Sequence, residues 1–584
     1  MTLTRPTRLT IAGLILLILA GGFLRLHNLD ARSVTHIEMY VPGIRLPHGI
    51  SVPEERLTLL KTVTSTLNSD THPPFYYMLM WAWTKCFGTS AWSMRLPSAL
   101  LGTACIPLVF WLGALTRQTT AGWIAATLLA VNGHHIFWSQ IARMFTLACC
   151  LGLLATILLL EIARQSRPSR TLQVLYVAAL LLGLCTHIFF WLILAAHMLW
   201  TVLNAWSQRQ SLPGGARLQF LTLILGSPLL ASSAYQSANT LATLSGNALV
   251  YAREFLTFAF VFPLMGYSSG VYPDSGNVVM VDDPHLSLLR WLFFLLSLSL
   301  FIAGVSAVRH SDEPILASTD GPSTKAWLLA AVLATLAILM FIWTAKTFAR
   351  PQPNPTLRTT ELMTVLPILL ALIAILVQRN WKQLVSWRTP LLNSRFLIGD
   401  QELVLLLAVV PFLALAVVSL FKPMFNARGL ILLTPYLLLV FSYGIVRLAR
   451  QPVRAIALLA VLGVAHYAGW KAYSHVSAGR ADYKSFAAAL SPQIGNNDLV
   501  FLYPEFYSTP LFFYMTSPWE RVVGRNYQSA LGEHPQARVW ALWFYNYEPQ
   551  LPQSMQVALS DYHAIGAVEA HGGRAILYVP NSSR

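Results

Sequence analysis

Charged residues are scarce in this chain of 584 residues: Asp, Glu, Lys and Arg make up 11%, less than half the share in an ordinary soluble domain, and 55% of the residues are hydrophobic. So much apolar surface cannot be folded away in a water-soluble core of usual size. A soluble globular protein is therefore excluded. Cysteine is also sparse. The five are Cys86, Cys105, Cys149, Cys150 and Cys185, all inside or beside apolar segments, with no CxxC spacing and none in the C-terminal tail. No disulfide framework or zinc site follows from that pattern, which reads as small buried hydrophobes. Acidic residues are few, 24 against 40 Lys and Arg. The resulting charge of +16 would suit nucleic acid, but from Ser474 onward seven Lys/Arg face eight Asp/Glu, so the excess belongs to the membrane part. There, short basic loops orient helices and attract anionic lipid head groups, and no nucleic acid is expected.

What is present in quantity is the apolar run of about 20 residues that spans a bilayer as a helix. Hydropathy gives about 13 spans, at 9–26, 96–116, 120–137, 143–162, 172–187, 188–205, 218–235, 286–308, 326–345, 361–378, 402–421, 429–447 and 453–473. The stretch 172–203 reads either as one long tilted helix or as two short ones broken near Thr186-His187. Arg5 and Arg8 precede the first run without a small-residue cleavage site, as in a retained signal anchor. Loops rich in arginine (Arg164/Arg167/Arg170, Arg209/Arg217, Arg379/Lys382/Arg388/Arg395 and Arg447/Arg450/Arg454) fall on one side, which places the N-terminus in the cytoplasm and the C-terminal tail outside. The expected fold is a multi-spanning α-helical membrane protein: a membrane domain, 1–473, then a small extracytoplasmic α/β domain, 474–584, with β-type runs at 499–503, 539–544 and 575–579. The first outer loop, 27–95, carries interfacial helices at 54–68 and 75–87; a second long outer stretch covers 236–285.

On the outer side each carboxylate can be weighed singly. Glu38 lies in Ser33-Val-Thr-His-Ile-Glu-Met-Tyr40, and Asp70 opens Asp70-Thr-His-Pro-Pro-Phe-Tyr-Tyr77. Either can serve as general base to a hydroxyl if oriented and partly desolvated; the bland alternatives are a solvated loop carboxylate and, for Asp70, a helix cap. Pro73-Pro74 at a helix start leaves the first N–H groups free, and with His72 they would form an anion site. Arg143 and Arg428 enter spans from the outer face, against the positive-inside trend. Such arginines are costly unless they meet an anion, and a guanidinium matches a pair of phosphate oxygens; snorkelling to the interface is the alternative. His134-His135 reads as an interfacial pair, and His187 and His197 as structural histidines.

The first-loop acidic motif, the Asp70 to Tyr77 segment, Met94-Arg-Leu-Pro-Ser-Ala99, Ser139-Gln-Ile-Ala-Arg-Met144 and Asn426-Ala-Arg-Gly-Leu430 together resemble the GT-C superfamily, in particular the branch of protein mannosyltransferases and aminoarabinose (lipid A) transferases, glycosyltransferase family 39-like. The resemblance implies inverting transfer of a sugar from a polyprenyl-phosphate donor to a lipid, protein or polysaccharide acceptor outside the bacterial cytoplasmic (inner) membrane. It carries the general base over to Glu38, alone or with Asp70, and the donor phosphate to Arg143, with Arg428, His72 and Gln140 as further substrate-binding groups. Relatives commonly read Asp-Glu where this chain has Ile37-Glu38, and an acidic residue where it has Ile141. No metal ligand is assigned for that reason, and a divalent cation is less expected than in relatives. Two other classes compete. A flippase or transporter of lipid-linked saccharides would show internal repeats and broken helices with buried charge, and a catalytically lapsed relative would bind lipid phosphate only.

Overall fold

The computed structural model describes residues 7–44, 56–70, 72–207, 215–226, 284–309, 399–421, 429–449, 482–515, 522–544, 550–570 and 573–581, with 460, 462 and 463. Arg428, the expected spans 326–345 and 361–378, and nearly all of 236–285 and 453–473 lie outside them.

The membrane part is built of helices whose starts are written by polar caps. Helix α1 (Arg8–Leu26) is capped by the Thr7 hydroxyl, and α4 (Ala91–Leu115) by Ser90. The expected third span is two helices. Asn132 ends α5 (Thr119–Val131), and its side chain accepts the His135 N–H at 2.8 Å to start α6 (Gly133–Ser139). The 172–203 stretch is likewise two, α8 (Arg170–Leu184) and α9 (Phe190–Ser207), parted at Cys185–Phe189. Between α6 and α8 runs α7 (Phe145–Arg164). Further along come α10 (Gly215–Gly226), α11 (Pro284–Arg309), α12 (Asp400–Phe421) and α13 (Thr434–Leu448).

Four described helical segments are long and apolar enough to cross a membrane, and their burial separates centre from rim. Phe145–Arg164 and Ile431–Leu448 are 83% buried and form the middle of the bundle; Arg8–Leu26 is 17% buried and shows Leu9, Leu16, Leu19 and Phe23 outward. An apolar helix exposed in this way is matched to lipid, and the chain is a helical membrane protein. Helices α11 and α13 touch backbone to backbone: a Cβ at Gly304 would lie 2.2 Å from the Val440 carbonyl oxygen, and one at Gly444 2.1 Å from that of Leu300. Small residues permit this approach, which inside a bilayer substitutes for the missing hydrophobic drive between helices.

The first loop folds over one end of the bundle as a 3-10 turn, His36–Tyr40, followed by α2 (Leu59–Ser69) and α3 (Phe75–Phe87). The C-terminal residues form a five-stranded sheet of order β2-β1-β3-β5-β4, with β1 (Leu499–Tyr503), β2 (Val522–Val523) and β3 (Val539–Phe544) parallel and β5 (Gly573–Pro580) antiparallel to β3 and β4 (Tyr562–Ala570). The unbroken apolar runs of β1 and β3 are those of central strands covered on both faces. Helices α14 (Tyr483–Leu490), α15 (Glu505–Tyr514), α16 (Tyr527–Glu533) and α17 (Gln553–Ala558) flank the sheet. This unit grips the first loop: Ser33 Oγ donates to Asp482 at 3.0 Å, and the Val34 N–H donates to the Tyr514 hydroxyl at 2.7 Å.

Replacing Gly444 by Val puts atoms where the Leu300 carbonyl lies and is expected to cost at least the ~1–3 kcal/mol of an overpacked core. Thermal unfolding of the detergent-solubilised protein checks this, with Gly532→Ala, which has open space around it, expected to keep the parent midpoint.

Candidate active site

Glu38 is fully buried in the 3-10 turn, and every donor around it is aimed at its carboxylate. Oε1 accepts Arg95 Nε at 2.7 Å and the Ala142 N–H at 3.0 Å; Oε2 accepts Arg95 Nη2 at 2.8 Å, the Thr35 N–H at 2.9 Å and the Thr35 hydroxyl at 3.2 Å. Arg95, from the first turns of α4, spends its remaining donors on the carbonyls of Leu29, Arg32 and Ser33. Burial by itself raises the Glu38 pKa, but the Arg95 charge and these hydrogen bonds outweigh it and hold the group below its ordinary value. A carboxylate so engaged is a weak base with no open face toward a substrate.

Asp70 is placed differently. Its side chain is 10% exposed; Oδ1 accepts the His72 N–H at 3.0 Å, and Oδ2 accepts the Tyr77 hydroxyl at 2.8 Å, with Arg56 Nη2 at 3.7 Å. Burial pushes the Tyr77 hydroxyl up, so it remains a neutral donor to Asp70. Its oxygen in turn accepts Arg143 Nη1 at 2.6 Å. The Arg56 guanidinium sits 4.2 Å from the Tyr77 ring centre and 5.3 Å from that of Tyr40, while Arg143 is 5.6 Å from Tyr40. Two buried guanidinium groups thus converge on one carboxylate. The Nε–H of each is buried without a hydrogen-bond partner among the described residues.

The other sequence-designated groups are scattered more widely. The His72 ring packs on His187, with centres 4.6 Å apart, beside Asp70. The N–H of Phe75, expected at Pro73-Pro74 to face an anion, donates instead to the Cys185 carbonyl at 2.9 Å, because the connection between α8 and α9 lies over it. Gln140 does not join the cluster: its amide donates to the carbonyls of Arg25 and His27 at 3.3 and 3.1 Å, tying off the end of α1. Arg428 lies outside the described residues. His197 hydrogen-bonds Thr156 and Tyr176 between helices.

Cys105, His135 and Cys149 bring ligand atoms within 4.8 Å of one another, all buried. The donor types suit a soft metal, but Arg25 Nη2 lies 3.1 Å from His135 Nδ1 and can only donate to it. The imidazole proton is thereby assigned to Nε2, the nitrogen facing Cys149, and a guanidinium charge stands beside the thiols. Those residues fit a hydrogen-bonded core network rather than a cation site.

Three side chains of the site were not singled out by sequence: Arg95, Arg56 and Tyr77. Arg95 and Tyr77 lie inside motifs quoted above, and both arginines fall in the stretch expected from sequence to be the first outer loop, where the positive-inside trend makes arginine unusual. Arg95→Met leaves Glu38 buried without its cation and is expected to cost about 3–5 kcal/mol. A thermal unfolding series checks this, with Glu38→Gln/Arg95→Met expected to recover part of the loss. Because the folded-state pKa of Glu38 is depressed, the stability it contributes is present above the unfolded value and is lost as pH falls through the folded one.

Comparisons with known proteins cover this region and, for solved structures, nearly the whole chain. None of the curated proteins compared with the chain matches it. Among solved structures, the chain resembles ArnT from Cupriavidus metallidurans in the apo state, at 15% identity over 97% of either chain with a TM-score of 0.39. For the same protein bound to undecaprenyl phosphate the values are 14%, 97% of either chain and 0.38. The archaeal oligosaccharyltransferase AglB from Archaeoglobus fulgidus, in complex with an inhibitory peptide and a dolichol-phosphate, gives 12% identity over 97% of this chain and 74% of that one, with a TM-score of 0.42. Residues 71–231, from the segment following Asp70 past Arg143 and α9, match the family model of the dolichyl-phosphate-mannose-protein mannosyltransferases, and over that stretch the chain is similar to this GT-C family.

Proposed function

We propose that the chain is an inverting glycosyltransferase that moves a sugar from a polyprenyl-phosphate donor to an acceptor hydroxyl on the outer side of the bacterial cytoplasmic membrane. The observation that carries the reading is the pair of buried guanidinium groups, Arg56 and Arg143, which among the described residues have the carboxylate of Asp70 near them and each keep a buried Nε–H without a hydrogen-bond partner. Buried cationic donors in that state call for an anion, and a phosphate oxygen pair fits a guanidinium fork. The match of residues 71–231 to a family defined by a polyprenyl-phosphate sugar supports the same donor class.

In the proposed reaction the acceptor oxygen attacks the anomeric carbon, the bond from that carbon to the phosphate oxygen breaks, and polyprenyl phosphate leaves with the bonding electrons. The acceptor proton passes to Asp70. Arg143 and Arg56 stabilise the charge that develops on the departing phosphate, so little help from a general acid is needed. Glu38 is assigned a positioning role: by accepting the Ala142 N–H it fixes the backbone next to Arg143, and Ile37 beside it offers its carbonyl to Arg143 Nη1 at 3.4 Å. The role expected for Glu38 from the family motif thus passes to Asp70, the carboxylate with solvent access. One observation favours the lapsed-relative reading, namely the full engagement of Glu38 beside Ile37, where relatives carry an aspartate.

Transfer assays with a panel of polyprenyl-phosphate sugars distinguish these. Asp70→Asn is expected to lower turnover by about 10²–10⁴-fold, the usual contribution of a general base, with little change in donor KM. Arg143→Ala is expected to raise donor KM about 10- to 100-fold, the loss of a charge-assisted hydrogen bond of about 1.5–3 kcal/mol. No transfer by the parent chain from any donor, with retained binding of polyprenyl phosphate, would leave the lapsed relative standing.

A further inference from the structure

A cleft of about 810 Å³ opens in the C-terminal unit, far along the chain from the cluster around Asp70. It is set at the carboxyl ends of two neighbouring parallel strands, where β1 ends at Tyr503 and β2 at Val523. In open parallel sheets the loops leaving those ends diverge, and the crevice they leave is where small molecules bind. The volume lies within the range of such sites.

The lining argues for the kind of ligand. Glu505 supplies the carboxylate; it is 9% exposed and rests against Gly524, where a Cβ would come 2.5 Å from its carboxyl carbon, so the glycine is what lets the acid lie there. Arg525 Nε meets Glu505 Oε2 at 3.3 Å, which leaves the lining without net charge. Around this pair stand the neutral amides of Asn526, Gln528 and Gln553. Tyr503 adds aromatic surface, and the buried Tyr527 closes the floor of the cleft; its ring is held on Phe501 at 4.7 Å, and its hydroxyl is anchored to the Leu502 carbonyl at 2.7 Å. A charge-balanced wall would repel neither sign strongly and would attract neither. Amides that both donate and accept, a carboxylate that accepts hydroxyl protons and the aromatic surface of Tyr503 together suit a ring that is uncharged, dense in hydroxyls and apolar on its C–H faces.

We infer that the cleft between the carboxyl ends of β1 and β2, lined by Glu505, Arg525, Gln528, Gln553, Tyr503 and Tyr527, is a binding site for an uncharged saccharide. The site is separate from the transfer chemistry proposed for Asp70 and does not depend on it. It is linked to the first loop by one element: α15 starts at Glu505 in the cleft and ends at Tyr514, which receives the Val34 N–H, a span of about 15 Å for ten helical residues.

The test uses the full chain in lipid nanodiscs, which avoids sugar-headed detergents, and measures binding of methyl hexopyranosides and their disaccharides by saturation-transfer NMR and titration. Saturable binding is expected, weakened at least tenfold by Glu505→Gln and by the exposed pair Gln528→Ala/Gln553→Ala. The latter is expected to unfold at the parent temperature, and Arg143→Ala to bind as the parent does. Absence of saturable binding by every glycoside, parent affinity in the cleft variants, or competition by inorganic phosphate would each overturn the assignment. Loss of binding in Arg143→Ala with the cleft variants unaffected would place the saccharide at the Asp70 cluster instead and equally overturn it.

Discussion

The buried ion pair between Glu38 and Arg95 is the contact on which the end of the bundle covered by the first loop depends. Through it the 29–38 segment, the first turns of α4 and the 140–144 loop before α7 are joined at one point, since Arg95 also takes the carbonyls of Leu29, Arg32 and Ser33 and Glu38 takes the Ala142 N–H. Burying two charges is costly and is repaid only when every donor and acceptor is matched. Here the matching is complete on the carboxylate, and the arrangement it fixes is what brings Arg143 beside Tyr77.

Beside that balanced pair lies an unbalanced one. Arg56 and Arg143 stack around Tyr40 and Tyr77, Arg56 paired with Asp70 and Arg143 linked to it through the Tyr77 hydroxyl, and among the described residues this leaves one more cation than carboxylate and two buried Nε–H groups without partners. The contrast divides the labour between two carboxylates of one loop. Glu38, saturated and held below its ordinary pKa, serves the architecture. In the proposed reaction Asp70, partly open and beside Arg56, is the carboxylate that takes the acceptor proton. The family motif alone points to the first; the geometry favours the second.

The C-terminal unit meets this region rather than standing apart. Ser33 to Asp482 and Val34 to Tyr514 are contacts to the very segment that carries Glu38, so whatever occupies the sheet end of α15 lies one helix length from the loop. Polar contacts of this kind fix the position of the unit against the first loop.

The sequence by itself determined the membrane class and the starts of several helices, because a 20-residue apolar run has one low-energy state in a bilayer and its caps are written locally at Thr7, Ser90 and Ser169. It also brought Asp70, His72 and Arg143 into view, since polar groups at apolar helix ends are conspicuous. It did not separate α5 from α6, where an Asn132 cap interrupts a continuous apolar run, and it could not choose between one helix and two across Thr186-His187. That Glu38 is saturated by Arg95 and that Gln140 holds the end of α1 were decided by tertiary structure alone. Those outcomes depend on partners 57 to 116 positions away, Arg95 for Glu38 and Leu24 for Gln140, and no local pattern encodes a pairing at that range.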